Sequence, residues 1–257
     1  MIDTHAHLYL EEFDNDFDAT INRAIAAGID KFILPAIDKS TFEKMMLAQE
    51  RYPQSIFTAI GQHPTSVEEK TYKQELDFVE KNISKFPFVA IGEIGIDCYW
   101  TTENIVAQRK VFERQLEIAA EYNLPVIIHA RNSFDEIFAI LDKRNDLNTR
   151  GVFHAFSGDI NDYEKIKSYK NFYFGLGGII TFKNSGITPV VEKMSLDEII
   201  LETDSPYLTP TPFRGKRNES ANLVLIAQKI AEIKNINIEM VARQTTENAQ
   251  NLFFTQM

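Results

Sequence analysis

VIIHARNSFDEIFAILDKRNDLNTRGVFHA, residues 126–155, is the stretch whose reading decides the fold. It opens with an apolar run of strand length, Val126 to Ala130. An amphipathic stretch with helical spacing follows, and a second strand-length run, Gly151 to Ala155, closes it. A helical crossover between two strands returns the chain in the same direction, so the strands pair in parallel. VIIHA is continuously apolar, as expected of a strand covered by helices on both faces. Ser133 and Glu136 have the spacing of a capping box at the helix start.

The same alternation extends in both directions. Further strand-length runs fall at Ile2 to Leu8, Lys31 to Ala36, Ile56 to Ile60, Val89 to Glu93, Phe172 to Leu176 and Ile199 to Glu202. Ser40 and Glu43 repeat the capping-box spacing, and Gly28 is placed to end the first helix. Two helical segments, Ala221 to Lys234 and Ile238 to Phe254, are expected to finish an outer ring. Eight such βα units in 257 residues fit a single-domain (β/α)8 barrel over residues 1–257 better than the alternative, an open doubly wound sheet.

Composition narrows the function. With 44% hydrophobic and 25% charged residues the chain is that of an ordinary globular protein, and it holds no apolar run long enough to span a bilayer. No export signal opens the chain, and a single cysteine, Cys98, has no partner for a disulfide or a thiolate metal site. A soluble protein of the reducing cytoplasm is expected, with no membrane contact and no obligate protein partner. The net charge of −10 excludes a broad basic surface that wraps duplex DNA, so an anionic substrate has to be attracted locally.

All five histidines, His5, His7, His63, His129 and His154, lie at or just beyond the ends of these strands. Glu93 ends the fourth strand and Asp204 follows the eighth. In a barrel the C-terminal strand ends converge on one mouth, so these residues become neighbours. His5 and His7, two apart on a strand, share a face. Imidazole with carboxylate suits zinc, manganese or iron, and paired carboxylates also accept magnesium. Formal charge separates one ion from two. One divalent ion only neutralises Glu93 and Asp204, whereas two leave a positive surplus for an incoming phosphodiester and acidify a water nucleophile.

The blocks DTHAHL (3–8), GQHP (61–64), GEIGID (92–97), VIIHAR (126–131), VFHAFSG (152–158) and LETDSPYLTP (201–210) together resemble the TatD-related metal-dependent deoxyribonucleases. The resemblance spans nearly the whole chain in family order. It implies a TIM-type barrel that hydrolyses DNA, exonucleolytically, with two divalent ions (magnesium, manganese or zinc) at its mouth. It places His5, His7, Glu93 and Asp204 on one ion and Glu93, His129 and His154 on the other, with Glu93 bridging. His63 would meet the substrate phosphate or the leaving oxygen. Asp204, near both ion and water, would double as general base. Three positions depart from the family pattern: Ile96 replaces leucine, Ala155 replaces cysteine, and a proline near Ser220 is missing.

Around this core the sequence offers substrate contacts. Arg214, Lys216 and Arg217 form a basic group after the eighth strand, where barrels often bind phosphate. Arg131 shares the face of His129 if the strand continues, and would reach a phosphate or pair with a mouth carboxylate. Tyr99, Trp100 and Phe156 follow ligand-bearing strands; packing is the favoured reading and base stacking the other. Asp3 reads as a buried structural hydrogen-bond partner, Asp97 as a residue that orients a ligand, and GLGG (175–178) as a tight turn near the substrate. The expected substrate is DNA, in single strands or at frayed ends. Hydrolysis of another bond, as in D-aminoacyl-tRNA deacylation or amide cleavage, is the alternative. A metal-binding scaffold without turnover is the remote one. Related amidohydrolases carry a modified lysine where Glu93 stands, which weights the reading towards a nuclease.

Overall fold

The computed structural model describes residues 1–255, so the last two residues of the expected single domain lie outside it. Eight strands pair in chain order, each parallel to the next: β1 (Ile2–Asp3), β2 (Lys31–Pro35), β3 (Ile56–Ile60), β4 (Ala90–Asp97), β5 (Val126–Arg131), β6 (Gly151–Phe153), β7 (Phe172–Leu176) and β8 (Ile199–Leu201). The sheet closes where the Thr4 N–H donates to Leu201 O (3.0 Å) and the His7 N–H donates to Ser205 O (2.7 Å). The barrel, not the open sheet, is the architecture.

Helices α1 (Phe17–Ala26), α2 (Phe42–Arg51), α3 (Tyr72–Asn82), α4 (Ile105–Glu121), α5 (Phe134–Lys143), α6 (Ile160–Ser168), α7 (Thr188–Lys193) and α8 (Leu223–Lys234) follow the strands in turn, and α9 (Ile238–Phe253) ends the chain. Among the described residues no helix is long and apolar enough to cross a membrane. In β5, Val126 and Ile128 face the helices while Ile127 faces the barrel interior, which explains the unbroken apolar run. Gly28 ends α1 with φ +87°, a conformation that costs glycine little.

Three expectations need correction. Neither proposed capping box forms. The Ser40 hydroxyl donates to Asp38 Oδ1 (2.6 Å), and the Ser133 hydroxyl donates to Ile96 O (2.5 Å), tying α5 to β4. Glu136 is held instead by Arg109 (2.6 Å). A capping box does form where none was expected, at Asp159 and Asp162 on α6. Regular pairing of the first strand stops at Asp3, because residues 4–7 alternate their bonds between β2 and the segment after β8. Finally, α9 does more than complete a ring. Its last turns bring Ala249, Leu252 and Phe253 against the inward residues Ile33, Ala59, Ile127, Val152 and Ile200, closing the N-terminal end of the barrel.

Candidate metal centre at the barrel mouth

The mouth is assembled from the strand ends. β4 runs four residues beyond its expected end, and its register against β5 shifts between Ile91 and Ile94, so the chain bulges where Glu93 sits. Gly95 makes that path possible. Its φ is +141°, and a Cβ there would lie 2.0 Å from His129 O.

The Glu93 carboxylate is buried and central. Oε2 lies 3.0 Å from His5 Nε2 and 3.7 Å from His7 Nε2. Oε1 lies 2.8 Å from His129 Nδ1, 3.3 Å from His63 Nε2 and 3.7 Å from His154 Nε2. Asp204 Oδ1 stands 3.5 to 3.8 Å from Nε2 of His7, His5 and His154. The structure thus brings all seven residues of the expected centre together. The close sets of ligand atoms differ from the expected grouping in one respect: His63 joins Glu93 and His129, while His154 groups with His5 and Glu202.

The outer nitrogens fix what the inner ones present. The Tyr9 hydroxyl donates to Pro35 O (2.6 Å), so His7 Nδ1 must donate to Tyr9 Oη (3.0 Å), and His7 Nε2 is left as a lone pair 3.2 Å from His5 Nε2. The His129 Nε2–H donates to Asp97 Oδ2 (2.9 Å), which turns the Nδ1 lone pair inward. His154 Nδ1 lies 2.9 Å from Glu202 Oε1. His63 is opposite in kind. Its Nδ1 accepts from the Thr65 N–H (3.2 Å), so the neutral ring carries its proton on Nε2, facing Glu93.

Electrostatics fits a cationic occupant. Burial pushes Glu93 up, but the imidazoles of His63, His5 and His154 outweigh it and hold the carboxyl well below its usual range. Burial likewise acts against Asp204, and the neighbouring imidazoles of His7, His154 and His5 hold it low. Burial and the neighbouring His154 push His5 below the usual imidazole value, against the pull of Glu93. Burial opposes protonation of His154, yet Glu202, Glu93 and Asp204 raise it to about 10. A proton on His154 is the positive charge these carboxylates demand without a cation. The inward lone pairs of His7 and His129, with His5 Nε2 beside them and ionised carboxylates between, are a donor set for divalent ions.

Sequence reasoning missed Tyr9, Thr65 and Glu202. Glu202 is fully buried and is housed by Gly175, where a Cβ would come within 2.2 Å of its carboxylate. Asp97 and Asp3 stand as expected. Asp3 accepts from the Thr203 N–H (2.9 Å) and hydroxyl (2.6 Å). Of the departures, Ile96 is core, Ala155 adopts φ +43° while donating its N–H to Glu202 Oε1 (2.5 Å), and Ser220 is buried at the turn before α8.

A cavity of about 570 Å³ opens over the centre, lined by residues that include His63, Asp204, Trp100 and Arg131. A larger cleft of about 740 Å³ lies at the opposite end, around Asn123, Asn148 and Arg150, away from every histidine. Arg131 reaches the cavity because β5 continues to it, and it pairs with no carboxylate among the described residues; its guanidinium lies 3.8 Å from the Tyr99 ring. Arg217 does not reach the cavity. Its guanidinium bonds Asp16 (2.7 and 2.8 Å) and Glu219 (2.9 Å). Arg214 lies 3.6 Å above the Phe182 ring, and neither it nor Lys216 lines the cavity. Phe156 packs in the core as favoured, but Tyr99 and Trp100 do not, at 53% and 68% exposed. GLGG is not one turn: Gly175 belongs to β7 and Gly178 opens a 3-10 turn.

The sequence model of the TatD related DNase family matches residues 2–254. The chain belongs to this family. A member described as uncharacterized metal-dependent hydrolase YabD, from Bacillus subtilis (strain 168), is 37% identical over 254 residues, 98% of each chain. YjjV of Escherichia coli (strain K12), described in the same way, is 32% identical over 98% of this chain and 97% of its own. The crystal structure of YjjV, a TatD homolog, superposes with a TM-score of 0.86 at 31% identity over 98% of this chain and 97% of that one. A TatD family hydrolase from Entamoeba histolytica shares the fold, with a TM-score of 0.85 at 24% identity over 99% and 98%. The chain is a metal-dependent hydrolase of the TatD family.

Proposed function

We propose that the protein is a deoxyribonuclease of the cytoplasm that holds two divalent ions and trims DNA from single-stranded or frayed ends. The observation that carries this reading is the division of the Glu93 carboxylate. One oxygen faces His5 and His7 while the other faces His63, His129 and His154, the arrangement of a bridging ligand.

Charge supports two ions over one. Asp97 and Glu202 join Glu93 and Asp204 around the imidazoles. Against four carboxylates a single divalent ion leaves a net charge of minus two, which repels a phosphodiester, and a pair leaves none. On this reading His5, His7, Glu93 and Asp204 would hold one ion and Glu93, His129 and His154 the other. Such ions polarise a phosphoryl oxygen and lower the pKa of water. The protein's own groups do the rest. Asp204, ionised and facing the centre, accepts the proton of the attacking water. His63 presents its Nε2–H to the leaving oxygen. Arg131 supplies local positive charge at the mouth of a chain whose net charge is −10.

The test uses purified protein with magnesium, manganese or zinc, offered single-stranded DNA, D-aminoacyl-tRNA and amide substrates. Shortening of the DNA that stops in chelator is expected, with two ions per chain by elemental analysis. A preference of orders of magnitude for the aminoacyl ester or the amide would overturn the nuclease reading.

A further inference from the structure

The loop that leaves β4 is fastened to the metal centre through one carboxylate. Asp97 Oδ2 accepts the Nε2–H of His129 (2.9 Å), while Oδ1 accepts the backbone N–H groups of Tyr99 (2.9 Å) and Trp100 (3.3 Å). A loop pinned this firmly could fold its rings into the core, yet it holds them in water. Trp100, the only tryptophan in the chain, is 68% exposed and lines the cavity over the metal centre.

Its neighbours leave it open. Tyr99 meets it edge to face, with centroids 5.0 Å apart and planes at 87°. Arg131 lies over the Tyr99 ring at 3.8 Å and, more loosely, over the Trp100 ring at 5.4 Å. The guanidinium therefore sits chiefly on Tyr99, which acts as a brace, and the indole is the more exposed ring and the one that lines the cavity. A planar aromatic surface beside an arginine that meets no carboxylate among the described residues, at a phosphoryl-transfer centre, matches one nucleotide, with its base on the ring and its phosphate near the cation.

We propose that Trp100, braced by Tyr99 and Arg131, is the stacking platform for an unpaired nucleobase next to the bond that is cut. The proposal rests on the nuclease reading and deepens it. A base inside a duplex has both faces covered by its neighbours, so the platform selects single strands and frayed ends, a preference that the metal centre alone does not create.

The single tryptophan is its own reporter. Metal-loaded full-length protein is titrated with a phosphorothioate-linked oligothymidylate, which resists cutting, and with an abasic oligomer of the same length. The base-bearing oligomer is expected to quench tryptophan fluorescence and the abasic one to leave it nearly unchanged. Trp100→Ala, which lacks the reporter and is followed by calorimetric titration, should weaken binding of the base-bearing oligomer by about 5- to 150-fold, the range of one base–aromatic stack, with little effect on the abasic one. Trp100→Phe should restore most of the loss. Equal quenching by both oligomers, no quenching by either, or an unchanged affinity in Trp100→Ala overturns the platform. The two readings fail separately. DNA cleavage with a KM that is indifferent to Trp100→Ala removes the platform and leaves the nuclease, whereas base-dependent quenching without cleavage removes the nuclease and leaves a base-binding site.

Discussion

At the N-terminal end of the barrel the strands turn Ile33, Ala59, Ile127 and Val152 inward against Leu252 and Phe253 of α9. At the C-terminal end β4 and β5, with the residue just after β6, turn Glu93, His129 and His154 inward instead. The lower layer is stabilised by apolar area, roughly in proportion to what is buried and without regard to direction. The upper layer buries Glu93, Asp97 and Glu202 and partly buries Asp204, carboxylates that are tolerable only because each faces an imidazole. One end secures the fold, and the other is held in place by it.

Exchanging the properties of the two ends would break that contrast. Glu93→Gln keeps the shape of the bridging side chain and removes its charge. The kcat/KM for single-stranded DNA should fall by about three to four orders of magnitude, the several kcal/mol that ions lend to a phosphoryl transition state, while the melting temperature stays level or rises. A large drop in melting temperature with activity retained would assign Glu93 to the scaffold. Leu252→Ala is the converse. It should cost about 2–5 kcal/mol in urea unfolding, with kcat and KM of the folded protein unchanged.

Tyr9→Phe probes how the upper layer is held. The ring stays and the oxygen that accepts from His7 Nδ1 is lost, freeing the imidazole to change tautomer. Affinity for the ions and kcat should both fall about 10- to 100-fold, read by calorimetric titration of the metal and by kinetics. Unchanged metal affinity would show that packing alone orients His7.

The contrast also explains how far the sequence could be read. Histidines at strand ends were legible because strand periodicity assigns faces and barrel topology gathers the ends. The same periodicity reaches Tyr9 from His7 and Glu202 from Ile200, so the signal for both was present. Their roles were not, because they depend on contacts across the barrel, such as the bond from Tyr9 to Pro35 O and the space left for Glu202 at Gly175. The capping boxes failed for a related reason: Ser40 and Ser133 found acceptors outside their own helices. Exposure of Trp100 was hidden too, since an aromatic after a strand packs more often than not.

Arg217 gives the smallest and sharpest case, a basic residue that reads as a phosphate contact and is occupied elsewhere. Its acid partner Asp16 lies about two hundred positions earlier, a pairing that no local pattern reveals. The Asp16 carboxyl is held well below its usual value, chiefly by the hydrogen bonds from Arg217 and also by those from Arg23. Because the folded value is depressed, the unfolded chain binds protons first as pH falls. The stabilisation is complete above the ordinary aspartate value near 3.8 and is lost progressively below it. Asp16→Asn should therefore cost about 0.5–1 kcal/mol at pH 7, a modest figure because these side chains are partly exposed and screened by solvent. The difference from the unmodified protein should hold between about pH 5 and 8 and shrink at pH 3, while KM for DNA stays the same. A KM that rises in Asp16→Asn, or a stability difference that grows in acid, would return Arg217 to the substrate.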